Sequence, residues 1–193
     1  MKLEESFFAR DTVTVARDLL GRRLVRLLDG ERLSGIISES EAYVGEEDTA
    51  CHASRGCTPR TRVMYGPPGH YYVYLIYGMY HMLNIVTAGE GEPEAVLLRA
   101  IFPEEGVARM RANRKGAPLR QLANGPGKLC QALAIDRSLN GLSVESDRLW
   151  LEEGVAVSPE QILTSPRVGI GYASTEDQER HWRFHLPPDF VTG

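Results

Sequence analysis

Three scarcities mark this 193-residue chain, and each removes a class of protein. It has only three cysteines, Cys51, Cys57 and Cys130. An odd count, with no basic-then-apolar leader at the start, argues against a disulfide framework and points to a cytoplasmic protein. No apolar run approaches the roughly 20 residues that a membrane helix needs, so no membrane partner is expected. Acid is missing locally. Between Gly106 and Ile135 there is no Asp or Glu, yet Arg109, Arg111, Arg114, Lys115, Arg120 and Lys128 all fall there. A second basic cluster is Arg55, Arg60 and Arg62. The net charge of −4 argues against a generally basic nucleic-acid protein. A charge run is ordinarily a solvated face, but two acid-free stretches near an aromatic segment point to a face for a polyanion.

That aromatic segment, residues 71 to 86, is the most distinctive part of the chain. Five of the eight tyrosines lie in its first ten residues. Aromatic and β-branched side chains suit a pleated, half-buried backbone, and Tyr77-Gly78 interrupts them where a tight reversal needs glycine. The expectation is a protruding β-hairpin with Tyr77 at its tip, a ring placed to wedge into a stack of bases rather than to fill a core.

Around it the pattern reads as one α+β domain, residues 1–193, with a largely antiparallel curved β-sheet and surrounding helices. A helix is expected over residues 6–21, with Asp11 or Thr12 near its start and Gly21 as its stop. Strands are expected at Arg22 to Leu28 and Leu33 to Ser40, joined by Asp29-Gly30 and closed by Glu41-Ala42-Tyr43. Residues 46–68 form a long irregular connection, the kind that is usually functional or mobile. Ala95 to Phe102 reads as a buried strand. Pro103-Glu104-Glu105 reads as a helix start, and Asn124 to Lys128 opens a helix to about Ile135. Short strands at residues 149–151, 155–157, 168–170 and 182–185 complete the chain.

Several residues suit chemistry. Glu41, at a strand end with an aromatic two residues on, is a candidate general base, although an exposed strand-end Glu is the commoner case. Arg99 interrupts an apolar strand, and a buried arginine needs partners. It either joins a carboxylate such as Glu41 in holding a water, forms a structural ion pair, or faces solvent. Asn84, among apolar residues, either reads a ligand's polar edge or ties down a loop. His52 lies next to Cys51 and near Cys57, but the spacing matches no familiar zinc pattern, and no metal or cofactor is expected. Gly125-Pro126-Gly127-Lys128 lacks the rest of a phosphate loop, though Lys128 at a helix start suits a backbone phosphate as well as a plain proline-led helix does.

The combination of Ser40-Glu41-Ala42-Tyr43-Val44-Gly45, Glu47-Asp48, His52, Thr58-Pro59-Arg60, Tyr72-Val73-Tyr74, Tyr77-Gly78-Met79-Tyr80, Asn84 and Leu97-Leu98-Arg99-Ala100 resembles the alkyladenine (3-methyladenine) DNA glycosylases. Gly125 to Leu133 and Pro166 to Tyr172 extend the resemblance over nearly the whole chain, in order. It implies a monomeric, monofunctional base-excision enzyme acting on double-stranded DNA that contains damaged purines. Tyr77 would enter the duplex in place of the flipped nucleotide. Tyr43, His52 and Tyr74 would stack the base, and Asn84 would crowd the exocyclic amine of guanine. Glu41 would activate water with help from Arg99, and Lys128 would bind DNA backbone. Arg60, Arg109 and Arg111 are further backbone candidates from the basic clusters. Cys51 stands where serine is common, and on this reading it stays clear of the chemistry. No lysine is placed for Schiff-base strand cleavage. The rival readings are a non-catalytic nucleic-acid-binding module and a small-molecule hydrolase using the same Glu–Arg pair.

Overall fold

The computed structural model describes residues 1–190. Its N-terminal segment holds two helices where one is expected, α1 (Glu5–Phe8) and α2 (Thr12–Asp18). The reason is Asp11, whose carboxylate accepts a hydrogen bond from the Thr14 amide at 2.7 Å. That cap needs a non-helical Asp11, so it ends one helix in beginning the next.

The sheet follows. β1 (Arg23–Leu28) turns through Asp29 and Gly30, both at positive φ, into β2 (Glu31–Val44). β3 (Tyr71–Ile76) and β4 (Tyr80–Thr87) form the central hairpin, and β5 (Glu94–Glu105) follows. β5 runs straight through Pro103-Glu104-Glu105, so the helix expected there starts later, as α3 (Val107–Asn113). Arg32 lies along this stretch with its guanidinium on Glu105, and Ser34 pairs with Glu105 in register. Gly106, at φ +67°, makes the break between strand and helix. α4 (Pro126–Ala132) and β6 (Leu149–Glu152) come next.

The C-terminal third differs most from expectation. Residues 155–157 and 168–170 are not strands, whereas β7 (Leu163–Ser165), α5 (Thr175–Glu179) and β8 (Arg183–His185) are present. Among the described residues, no helix is long and apolar enough to cross a membrane.

The strands run in the order β3-β4-β5-β2-β1-β6, with β8 on β2 and β7 on β8, and every pairing is antiparallel. β2 is central. β5 flanks one edge, while β1 and then β8 share the other. One face of this sheet packs on α2 and α4 through Val15, Leu19, Leu83, Ile85, Val96, Leu98, Leu129 and Leu133. The opposite face carries a smaller cluster of Cys51, Ala53, Met64, Tyr72, Val86 and Ala95.

Irregular register decides which residues meet on that second face. The β2–β5 pairing slips between Ile37 and Glu39 and again between Glu39 and Ser40. The first slip leaves Ser38 as an extra residue on β2, and the second leaves Arg99 as an extra residue on β5. Side chains alternate along a strand, so one extra residue flips all that follow. Before the slip, Leu33 and Ile37 face the helical core. After it, Ser40 and Ala42 do, with the Ser40 hydroxyl on the Ala16 carbonyl at 2.6 Å. Glu39, Glu41 and Tyr43 are thereby turned to the other face.

The hairpin tip is a three-residue loop, Tyr77-Gly78-Met79, in which the Met79 amide donates to the Ile76 carbonyl at 3.2 Å over Tyr77 at φ 53° and Gly78 at φ 68°. Both positive φ values match a type I′ turn, which follows the twist of the strands. The tip leaves Tyr77 82% exposed. Gly127 of α4 fits under Tyr80, where an added Cβ would stand 3.0 Å from the ring.

Gly106 yields a test of the β5–α3 boundary. A Cβ there would meet the Arg32 carbonyl at 2.8 Å, in a left-handed conformation. Gly106→Ala should lower stability by about 1–3 kcal/mol in urea unfolding; an unchanged midpoint would contradict the boundary.

Candidate active site

Glu41 has no solvent exposure. An ionised carboxylate so placed needs donors on its oxygens. The Tyr43 hydroxyl donates to Oε2 at 2.8 Å, and Arg99 Nη1 donates to the same oxygen at 3.3 Å. The Val168 amide donates to Oε1 at 2.7 Å. Burial and the neighbouring Glu41 raise the Tyr43 phenol well above its ordinary range, so it stays a donor. Arg99 is held in turn by Glu39, Nε to Oε1 at 2.6 Å, and that oxygen also accepts from Arg183 Nε at 2.6 Å. Burial works against both charges. For Glu39, Arg183 and Arg99 outweigh it and hold the carboxyl below its usual range. For Arg99, Glu41 and Glu39 outweigh it and raise the guanidinium.

Beside this carboxylate opens a cleft of about 330 Å³, counting its mouth. Tyr43, His52, Tyr74 and Asn84 line it, together with Cys51, Met64, Tyr72, Ala95 and Tyr172. The hairpin supplies Tyr72 and Tyr74 from alternate positions on one face of β3, with ring centroids 5.2 Å apart. His52 stands on a single 3-10 turn, His52–Arg55, in the long connection after β2. Its ring meets Tyr74 edge-on at 4.6 Å, and Nδ1 lies 3.1 Å from the Tyr72 hydroxyl. Burial, with the charges of Arg60 and Arg55, lowers the His52 pKa to about 4, so the ring is neutral at neutral pH. Asn84 donates Nδ2–H to the Tyr72 carbonyl across the hairpin at 3.1 Å while lining the cleft.

Cys51, for which the sequence suggests no part in the chemistry, still has a place at the site. It is part of the cleft wall. Burial raises its thiol to about 12, so it presents a neutral S–H there. Its sulfur lies near the Pro93 carbonyl, His52 pairs with Tyr72, and Cys57 is exposed, so the three do not converge on a common point.

The C-terminal segment closes the site, and the sequence reading had no role for it. Arg167 is buried, with Nη1 and Nη2 on the two Asp48 oxygens at 2.6 and 2.8 Å and Nη1 on the Ala42 carbonyl at 2.9 Å. Its guanidinium lies 4.8 Å from the Tyr43 ring centroid. Held this way, the next residue, Val168, aims its amide at Glu41. The available signal was the apolar-flanked Arg167, an anomaly of the same kind as Arg99.

The basic residues scatter. Arg60 places its guanidinium 4.8 Å from the Tyr74 ring centroid, at the cleft. Arg109 is paired with Asp29 at 2.8 Å, and Lys128 donates to Asn124 at 2.9 Å. Arg111 is exposed, with no ion pair among the described residues.

The neutral His52 is checkable. Its folded pKa lies below the usual 6.5, so unfolding between about pH 4 and 6.5 takes up a proton, and its contribution to stability is lost as pH falls through that window. The ring signal of His52, followed by NMR, should not titrate from pH 5.5 to 8; a midpoint near 6.5 would contradict the burial.

Comparison with known proteins places the chain in a family. A family model described as methylpurine-DNA glycosylase matches residues 6–189. A protein of Methanocella arvoryzae is 52% identical over 185 residues, which is 95% of this chain and 91% of its own length. One from Desulfitobacterium hafniense is 46% identical over 194 residues, 96% of this chain and 95% of its own. One from Bacillus cytotoxicus is 45% identical over 197 residues, 96% of each chain. All three are provisionally named 3-methyladenine DNA glycosylases. With a family model spanning nearly its full length and relatives this similar, the chain belongs to the methylpurine-DNA glycosylase family.

Proposed function

We propose that this DNA glycosylase excises alkylated or deaminated purines from double-stranded DNA. Its substrates would be 3-methyladenine and 7-methylguanine, together with hypoxanthine or ethenoadenine, and it would act as a monomer in the cytoplasm. The observation that carries this reading is Glu41: a sealed carboxylate against an aromatic cleft, with three donors in place and one acceptor position left.

A carboxylate offers about four acceptor positions. Oε2 uses two, on Tyr43 and Arg99, and Oε1 uses one, on Val168. The Arg99 contact, at 3.3 Å, is the longest of the three. Parting it is the least costly way to admit a water, which would then bridge Arg99 and Glu41 at small enthalpic loss. The flipped purine would stack among Tyr43, His52 and Tyr74, and Tyr77 would fill the gap in the duplex. Cleavage sends the C1′–N electron pair to the departing base and leaves oxocarbenium character on the sugar. Water attacks C1′, its proton passes to Glu41, and an abasic site results. Asn84, fixed by its bond to the Tyr72 carbonyl, would stand against the exocyclic amine of normal guanine. Lys128, Arg60, Arg109 and Arg111 are proposed backbone contacts. The exposed Arg111 is the readiest of these, and Arg109 would first have to leave Asp29. No lysine lines the cleft among the described residues, which supports hydrolysis without strand cleavage.

Two variants separate chemistry from flipping in a single-turnover assay on duplexes carrying each lesion. Glu41→Gln should slow base release by about 10²–10⁴-fold while still binding the damaged duplex. Tyr77→Ala should lose activity on duplex with its unfolding midpoint unchanged. Parent-rate release by Glu41→Gln would overturn the mechanism, and an unfolded Tyr77→Ala would mark that ring as structural.

A further inference from the structure

Tyr172 is the one strongly exposed ring of the cleft. The residue is 64% exposed, yet its hydroxyl donates to the Ala50 carbonyl at 2.8 Å. An aromatic side chain left in solvent adds little to a core, and here its one polar atom is spent on fixing where the ring stands. The anchor is itself built in. Ala50 is buried against Ile170 and Ala173, on either side of Tyr172, and Tyr43 packs on the same small cluster. Four residues before it, the Val168 amide holds Glu41, and Arg167 holds that stretch to Asp48. The ring is therefore fixed relative to both the carboxylate and the stacking tyrosines.

We propose that Tyr172 is a nucleotide-contacting residue at the mouth of the cleft, its ring packing on the extruded nucleotide. This rests on the base-excision reading above. A ring already immobilised loses little conformational freedom on contact, so most of its contact energy appears as affinity for the flipped state. Undamaged duplex, which does not load the cleft, gains nothing from it. Tyr172 thereby sharpens discrimination for the flipped nucleotide.

The test measures binding of a hypoxanthine-containing duplex and of its undamaged counterpart in a Glu41→Gln background, which prevents turnover. Tyr172→Ala should weaken lesion binding by about 5- to 100-fold, the range for loss of one aromatic–base contact, and should leave undamaged binding within twofold. Tyr172→Phe, which keeps the ring and loses only the anchor, should stay within about threefold on both duplexes. Unchanged lesion binding by Tyr172→Ala overturns the proposal. So does an equal loss on both duplexes, or a loss in Tyr172→Phe as large as that in Tyr172→Ala. Base release by the parent chain is measured alongside. If the parent releases no base from any lesion duplex, the base-excision reading falls and this proposal with it; if the parent is active and Tyr172→Ala discriminates as well as the parent, this proposal alone falls.

Discussion

The structure depends on satisfying one carboxylate where water does not reach. Glu41 is fully buried, and an unanswered charge there would cost several kcal/mol. Its three donors come from three stretches: Tyr43, two residues along its own strand, Arg99 from β5, and Val168 from the C-terminal segment. Satisfying that carboxylate therefore requires the strand order, the two register slips and the docking of the last third of the chain together. The slips matter most, because without the extra residue at Ser38 the alternation of β2 would point Glu41 into the helical core.

A second tier of charges steadies the first. Glu39 Oε1 accepts from both Arg99 and Arg183, linking β2, β5 and β8. The Asp48–Arg167 pair joins the turn after β2 to the segment carrying Val168. Each arginine is thus directed by a carboxylate other than Glu41. Arg99 makes its shorter bond to Glu39, which leaves its contact with Glu41 long enough to open.

What could be read from the sequence follows the range of the forces involved. The β1–β2 turn and the Tyr77 turn are local, written in Asp29-Gly30 and Tyr77-Gly78, and both are present. Arg99 in an apolar strand signals a buried charge in need of a carboxylate, with Glu41 as one candidate, but its shorter bond is to Glu39, which the sequence does not single out. Three features were not legible because tertiary context decides them. Pro103-Glu104-Glu105 has helix-start chemistry, yet Glu104 and Glu105 are taken by Arg23 and Arg32 and the strand continues. Residues 168–170 look β-prone, yet their backbone is committed to Glu41 and to the Ala173 turn. Cys51 gave no sign that it would line the cleft. The helix α5 was legible and overlooked, for Ser174 lies three residues before Asp177 and its hydroxyl caps that amide at 3.2 Å.

The most direct measurement of the central claim is a crystal structure of the chain on a duplex carrying a non-hydrolysable abasic-site mimic. The account predicts the mimic's sugar at the cleft and one ordered water within hydrogen-bonding distance of both Glu41 and Arg99, with the direct Arg99–Glu41 contact opened. A carboxylate still closed by Arg99, with no water between them and the sugar remote from Glu41, would contradict it.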